Sequence, residues 1–355
     1  MPSLRPRRVA ATALVLSSGI VLALVQVASP SGPTASPGPS APISQVGTGR
    51  RQIDFDSGWK FKLVNPGGVT DPSGLYGNAS QPLASAVDFD DSSWRSVTVP
   101  HDWSIELLPQ PDVSHNTGYF AGGLGWYRKT FALPAWLAGR SVSVVFDGVY
   151  EDATVYLNGS KIGSHAYGYT GFEIDVTRSV HADGVTPNVL AVVVQNQEPN
   201  SRWYSGSGIT RNVWLTVTDP FHVARNGVAV TTPSLGKEYS SGHATVHATV
   251  DLVGDVTSGV GLAAQVSARI LDAAGTEVSH SGSTPAEARR GASASASLAP
   301  DKVAATAVLD VDVSLPHLWS TTDPYLYTLE DEVEPWRSSD LAIGREAGLS
   351  DQWIR

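Results

Sequence analysis

Six acidic residues, Asp102, Glu106, Glu151, Asp152, Glu173 and Asp175, have the right chemical type for hydrolysis by general acid and base. Glu173 and Asp175, two positions apart in FEIDVT, share one face of an extended segment at a spacing of ~7 Å. Any solvated strand face shows that spacing, so the pair reads as an exposed face. His101-Asp102, in VPHDWSIE, reads as a turn-capping or packing pair. No catalytic residue is assigned. The run Asn200-Ser201-Arg202-Trp203-Tyr204 offers a different chemistry. Amide, hydroxyl and guanidinium groups hydrogen-bond a polyhydroxylated ligand, and aromatic rings stack on its apolar faces. Gly206 and Gly208 allow tight turns beside it. Asn116, before Thr117-Gly118-Tyr119, falls on a second loop of this kind. Asn200, Arg202 and Asn116 are the expected ligand-binding residues. For Trp203 and Tyr204, core or interdomain packing is the favoured reading.

Other chemistries find little support. The chain has no cysteine, which removes disulfides, thiolate metal sites and cysteine nucleophiles. His243 and His247 lie on one strand, about 13 Å apart by strand rise, so no metal site is expected. The sequence GGLG at 122–125 precedes no helix, and no cofactor is expected. A net charge of −10 argues against a nucleic-acid partner.

These side chains must be positioned by strands. Val142, Val144 and Phe146 fall on one face of SVSVVFDGVY, and Ala153, Val155 and Leu157 on one face of DATVYLNGS. Asn158-Gly159 predicts a two-residue hairpin, because both turn positions need positive φ. NVLAVVVQN is apolar on both faces, as a strand buried between two layers should be. Asp219-Pro220 marks a boundary, after which Trp disappears until Trp319 and Ala, Ser, Thr and Val take over. Beyond it Val246 to Leu252, Ala264 to Ile270 and Leu309 to Leu315 each alternate with an inward set, Leu315 included, and YLYTLEDEV is the last expected strand. The fold class is all-β: a jelly-roll β-sandwich over 46–220, then an immunoglobulin-like β-sandwich over 221–333, with 334–355 a disordered tail.

Arg5, Arg7 and Arg8 precede an almost uncharged apolar run from Ala10 to Val27 and a small-residue cleavage point at Ala28-Ser29. This is a signal peptide, with a membrane anchor as the alternative, and a Pro/Ser-rich linker completes residues 1–45. The expected location is extracellular, with no membrane contact after cleavage.

VPHDWSIE, GYFAGGLGWYRKTFALP, FDGVYEDATVYLNGSKIGSHAYGYTGFEIDVT and QEPNSRWYSGSGITRNVWL, in that order, resemble the N-terminal sugar-binding domain of glycoside hydrolase family 2, most closely its β-galactosidase branch. PHLWSTTDPYLYTLE is similar to the closing strand of that family's immunoglobulin-like domain. The resemblance implies that both catalytic glutamates lie in a following TIM barrel, which needs on the order of 200–250 residues. Only 22 residues follow Val333. The expectation is therefore a secreted, non-catalytic N-terminal portion, inactive alone and binding β-galactosides weakly, with a separate catalytic domain as a partner. The alternatives are a free-standing carbohydrate-binding module or a fragment left by a shifted frame or early stop.

Overall fold

The computed structural model describes residues 49–71, 74–75, 83–113, 115–255, 263–288, 302–336 and 348–350. The expected signal peptide and linker lie outside these residues. Among the described residues, no helix is long and apolar enough to cross a membrane.

The first sandwich has ten strands: β1 (Arg51–Asp54), β2 (Trp59–Pro66), β3 (Arg95–Val97), β4 (Gly123–Phe131), β5 (Ser141–Phe146), β6 (Ala153–Leu157), β7 (Ser160–His165), β8 (Phe172–Asp175), β9 (Asn188–Asn196) and β10 (Val213–Thr218). They form a six-stranded sheet, β3-β2-β4-β9-β6-β7, and a four-stranded sheet, β1-β10-β5-β8. Phe61, Tyr127, Val155, Val192 and Val194 of the first meet Val144, Phe146, Val213 and Leu215 of the second. The Asn158-Gly159 turn closes the β6–β7 hairpin with φ of 50° and 85°.

Strand β9 is covered on both faces, as its sequence predicts. Leu190, Val192 and Val194 enter the main core, while Ala191 and Val193 join Trp126, Tyr156, Ala84 and Trp94 on the far side of the sheet. The same alternation sorts GWYRKTF: Trp126 faces outward with Ala84 and Trp94, and Tyr127 faces the main core. The buried Arg128 pins the covering segment in place. Its Nε donates to Asp91 Oδ2 at 2.8 Å, and its Nη atoms donate to the carbonyls of Ala84, Ala86 and Phe89.

Lys129 is also buried. Its ammonium donates to the Ser57 carbonyl and sits 4.3 Å from the centroid of the Phe55 ring. Burial pulls its pKa down from 10.5 to about 8, against Asp54 and Asp56. Between those values the folded lysine is neutral while the unfolded one is still charged. The unfolded chain then holds more protons, so stability rises with pH. Urea titrations between pH 8 and about pH 9.5 should show wild type gaining about 1–2 kcal/mol relative to Lys129→Met. Parallel curves for the two proteins would refute the assignment.

The second sandwich contains β11 (Phe221–Thr231), β12 (His243–Asp255), β13 (Ala263–Leu271), β14 (Glu277–His280), β15 (Thr284–Pro285), β16 (Glu287–Ala288), β17 (Lys302–Ser314), β18 (Thr328–Trp336) and β19 (Gly348–Ser350). Its sheets run β11-β12-β17-β16 and β14-β13-β18-β19, with β15 on β13. Ala248, Val250, Leu252, Ala264, Val266, Ala268, Ile270, Leu309, Val311 and Val313 fill the core as the alternation predicts, and the hairpin at 273–275 forms with Gly275 at φ 80°.

Three expectations in this half need correction. Leu315 points out, 84% exposed with φ 48°, because β17 ends at Ser314 and the Leu315 amide donates to Gly242 O at 2.7 Å. Tyr325 and Tyr327 precede the last long strand instead of opening it. The Tyr325 ring stacks on His317 at 4.2 Å, and Tyr327 Oη accepts the His317 amide at 2.9 Å, which folds the chain back on itself. Residues 334–336, expected to begin a loose tail, extend β18. Its pairing runs the full length of β13, from Leu271↔Thr328 to Ala263↔Trp336, which gives the backbone groups of β13 partners. Gly348–Ser350 then pairs with β18 as β19.

Only two residues separate β10 from β11. Arg140 pairs with Asp219, and Arg50 Nη2 donates to Val223 O at 2.6 Å, bracketing the joint.

Candidate functional site

The loop after β9 is built outward from a buried asparagine. Asn196, the last residue of β9, donates from Nδ2 to Ser207 Oγ at 2.6 Å and to Gly206 O at 3.2 Å. Its Oδ1 accepts the amide of Asn200. The loop from Gln197 to Ser205 is thereby tied at its mouth. Asn200 Nδ2 also donates to Glu151 Oε1 at 2.7 Å, and Tyr150 Oη donates to Asn200 Oδ1 at 3.4 Å.

Asp102 ties the returning strand of the loop to VPHDWSIE. Its Oδ1 accepts the amides of Ser104 at 3.0 Å and Ser207 at 2.9 Å, and its Oδ2 accepts the Tyr204 hydroxyl. Burial, with Asp102 beside it, drives the Tyr204 pKa far up, so the phenol stays a donor. The expected turn-capping role of Asp102 is thus what the structure displays. Backbone bonds from His101 N to Ile209 O at 2.7 Å and from Trp103 N to Ser207 O at 3.1 Å continue the seam, and Gly208 exchanges both its bonds with Tyr150.

Beneath it lies His101. Arg95 can only donate, so His101 Nε2 accepts from Arg95 Nη2 at 3.0 Å, and Nδ1–H donates to Tyr127 Oη at 2.7 Å. Burial lowers the His101 pKa, and Glu106 at 3.3 Å only partly opposes this. A neutral imidazole fits this seat.

Asn116 lies half-buried in a single turn, His115–Thr117. Its neighbour Thr117 donates to Glu198 Oε2 at 3.3 Å, and Phe120 packs edge-on against Tyr204 at 5.7 Å. The two predicted loops therefore meet. Asn200 and Arg202 are exposed on the second of them, and among the described residues no hydrogen bond or ion pair engages the Arg202 guanidinium.

A third loop, Ala166–Gly171, escaped the sequence reading. It carries Tyr167 and Tyr169, and Tyr169 Oη accepts the indole N–H of Trp203 at 3.0 Å. Its signal was present in the AYGYTG run between two predicted strands.

The carboxylates here are engaged in holding loops. Asp102 serves three donors, Glu151 serves Asn200, and Glu198 accepts from Thr117. Burial raises the pKa of both Glu151 and Glu198. On β8, Glu173 accepts the Ser143 hydroxyl. The exposed groups that remain, the Arg202 guanidinium, a second lone pair on Asn200 Oδ1 and several aromatic rings, can bind hydroxyls and ring faces.

Residues 90–221 match the family model described as glycosyl hydrolases family 2, sugar binding domain, and residues 228–344 match that of glycosyl hydrolases family 2. The chain belongs to glycosyl hydrolase family 2. A family-2 relative, the β-galactosidase BoGH2A of Bacteroides ovatus, is 39% identical over 80% of this chain and 30% of its own length. A β-glucuronidase of Formosa agariphila is 25% identical over 80% of the chain and 28% of its own length. The crystal structure of a family-2 member from Bacteroides cellulosilyticus superposes with a TM-score of 0.62 at 30% identity, covering 86% of this chain and 36% of that one. The chain thus spans about a third of these relatives, the part holding the family's two non-catalytic N-terminal domains.

Proposed function

We propose that this chain is the sugar-facing, non-catalytic portion of a family-2 glycosidase acting on β-galactosides, with hydrolysis performed by carboxylates on a further domain. The observation that carries this reading is the joined pair of loops presenting Asn200, Arg202 and Asn116 beside exposed aromatic rings, with Asp102, Glu151 and Glu198 bound into the loops themselves. Retaining hydrolysis needs two carboxyl groups about 5–5.5 Å apart on either side of one bond, both available to the substrate. The loop carboxylates, fixed to their own backbone and amide partners, are poor candidates for that work.

The test has two arms. The purified chain should leave nitrophenyl β-galactoside intact, and enzyme-like turnover that survives removal of contaminants would overturn the assignment. In calorimetry, methyl β-galactoside should bind weakly, with Asn200→Ala or Arg202→Ala weakening it by roughly threefold to tenfold, the loss of one hydrogen bond of ordinary strength. Saturation unaffected by both substitutions would place the sugar elsewhere. A free-standing binding module is the second reading. The 62% exposure of Trp203 favours it, because a large indole in water gains by covering with a sugar ring.

A further inference from the structure

We propose that Trp203, Tyr169 and Tyr167 form a second carbohydrate subsite, contiguous with Asn200, that takes the next sugar units of a β-linked oligosaccharide. The inference rests on the sugar-binding reading above and extends it from one sugar to a chain. All three rings stand in solvent, at 62%, 37% and 59% exposure. They are not loose. Trp203 Nε1 donates to Tyr169 Oη at 3.0 Å, Tyr169 packs at 67° against the buried Tyr150 with centroids 5.2 Å apart, and Tyr167 lies 5.7 Å from Tyr169.

The loop beneath them is fixed as well. Asp152 N donates to Ala166 O at 3.1 Å, and Thr170 Oγ1 lies 2.9 Å from His165 Nε2. Gly168 lies flat on the Tyr150 ring, where a Cβ would fall 2.1 Å from Cδ2. Only glycine allows the loop to come that close.

Tyr150 is also what makes the two subsites one surface. Its ring supports Tyr169, and its hydroxyl donates to Asn200 Oδ1 at 3.4 Å. A ligand unit held by Asn200 therefore has aromatic faces next to it. The composition selects the ligand class. The patch combines π faces with phenol hydroxyls, the amide of Asn200 and the Arg202 guanidinium. Pyranose rings carry both an apolar face and equatorial hydroxyls, and meet both kinds of group.

The experiment compares the full chain with Trp203→Ala, Tyr169→Phe and Asn200→Ala. The probes are methyl β-galactoside and β-1,4-linked tetrasaccharides of galactose, glucose and mannose, followed by calorimetry and by Trp fluorescence. At least one tetrasaccharide should bind tenfold or more tighter than the monosaccharide. Trp203→Ala should erase that gain, costing the tetrasaccharide far more than the monosaccharide. Tyr169→Phe, which removes the acceptor of the indole bond, should cost severalfold on the tetrasaccharide alone, whereas Asn200→Ala should weaken both ligands alike. Circular dichroism confirms folding of each variant; these rings are on the surface. Equal affinity for monosaccharide and tetrasaccharides overturns the second subsite and leaves the first intact. No binding of any probe overturns both. Self-association abolished by Trp203→Ala, with no chain-length effect, reassigns the rings to protein docking and also overturns the proposal.

Discussion

Arg128→Ala should destabilise the first sandwich by about 3–5 kcal/mol, the range for breaking a buried ion pair by removing one partner. Arg128 is 1% exposed, and its guanidinium reaches Asp91 and three backbone carbonyls. Alanine would leave those carbonyls unpaired under the segment that covers Trp126 and Tyr156, and each unsatisfied buried acceptor costs about 1–3 kcal/mol. The urea midpoint measures the loss. Arg128→Met restores most of the volume and none of the donors, so it should recover only a small part. A midpoint within experimental error of wild type for either variant would mean that the carbonyls find water. Double substitution with Asp91→Asn apportions the effect, because the ion-pair share should disappear in that background while the carbonyl share persists.

Gly208→Ala should be nearly as damaging, and its damage should be centred on the site. Gly208 has φ 121°, and a Cβ there would lie 2.2 Å from Tyr127 Oη and 2.8 Å from His101 O. Tyr127 is fully buried, and its hydroxyl accepts from His101, so neither can retreat cheaply. The seam between Tyr150 and Gly208 must open. A loss of about 3 kcal/mol or more is expected, from strain and overpacking together. Because that seam closes the Asn200 loop, sugar affinity should fall before global unfolding does. Gly275→Ala is the control: φ is 80°, but nothing lies within 4 Å of the added carbon. It should cost about 1 kcal/mol and leave binding alone. Equal effects from the two substitutions would rule out the crowding argument.

What the sequence made legible follows from range. Alternation within a strand is local, so the inward sets of β5 and β13 could be read directly, as could the two-sided burial of β9 and the Asn158-Gly159 turn. The same holds for the loop type of Asn200 to Tyr204. Contacts made across the fold left no local mark. Asp102 reaches Ser207 across 105 positions, and Asn200 reaches Glu151 across 49. Tyr167 and Tyr169 sit in a short loop whose worth depends on Trp203, 34 positions from Tyr169. Leu315 failed for a different reason: the pattern of β17 continues one residue past the strand, and the bond to Gly242 that ends the strand comes from a distant segment. Its position before Pro316 was a local hint against regular continuation.

Asn196 is the final residue of a strand buried on both faces, and every polar atom of its side chain is engaged within the loop it anchors. The conformational entropy of that loop is therefore lost during folding and not at the moment a ligand arrives. Ordering an interfacial side chain on binding typically costs about 0.5–1.5 kcal/mol, and several such charges can erase a weak complex. A site assembled in advance on a strand buried on both faces avoids most of them, so a few shallow contacts to a ligand can still register as affinity.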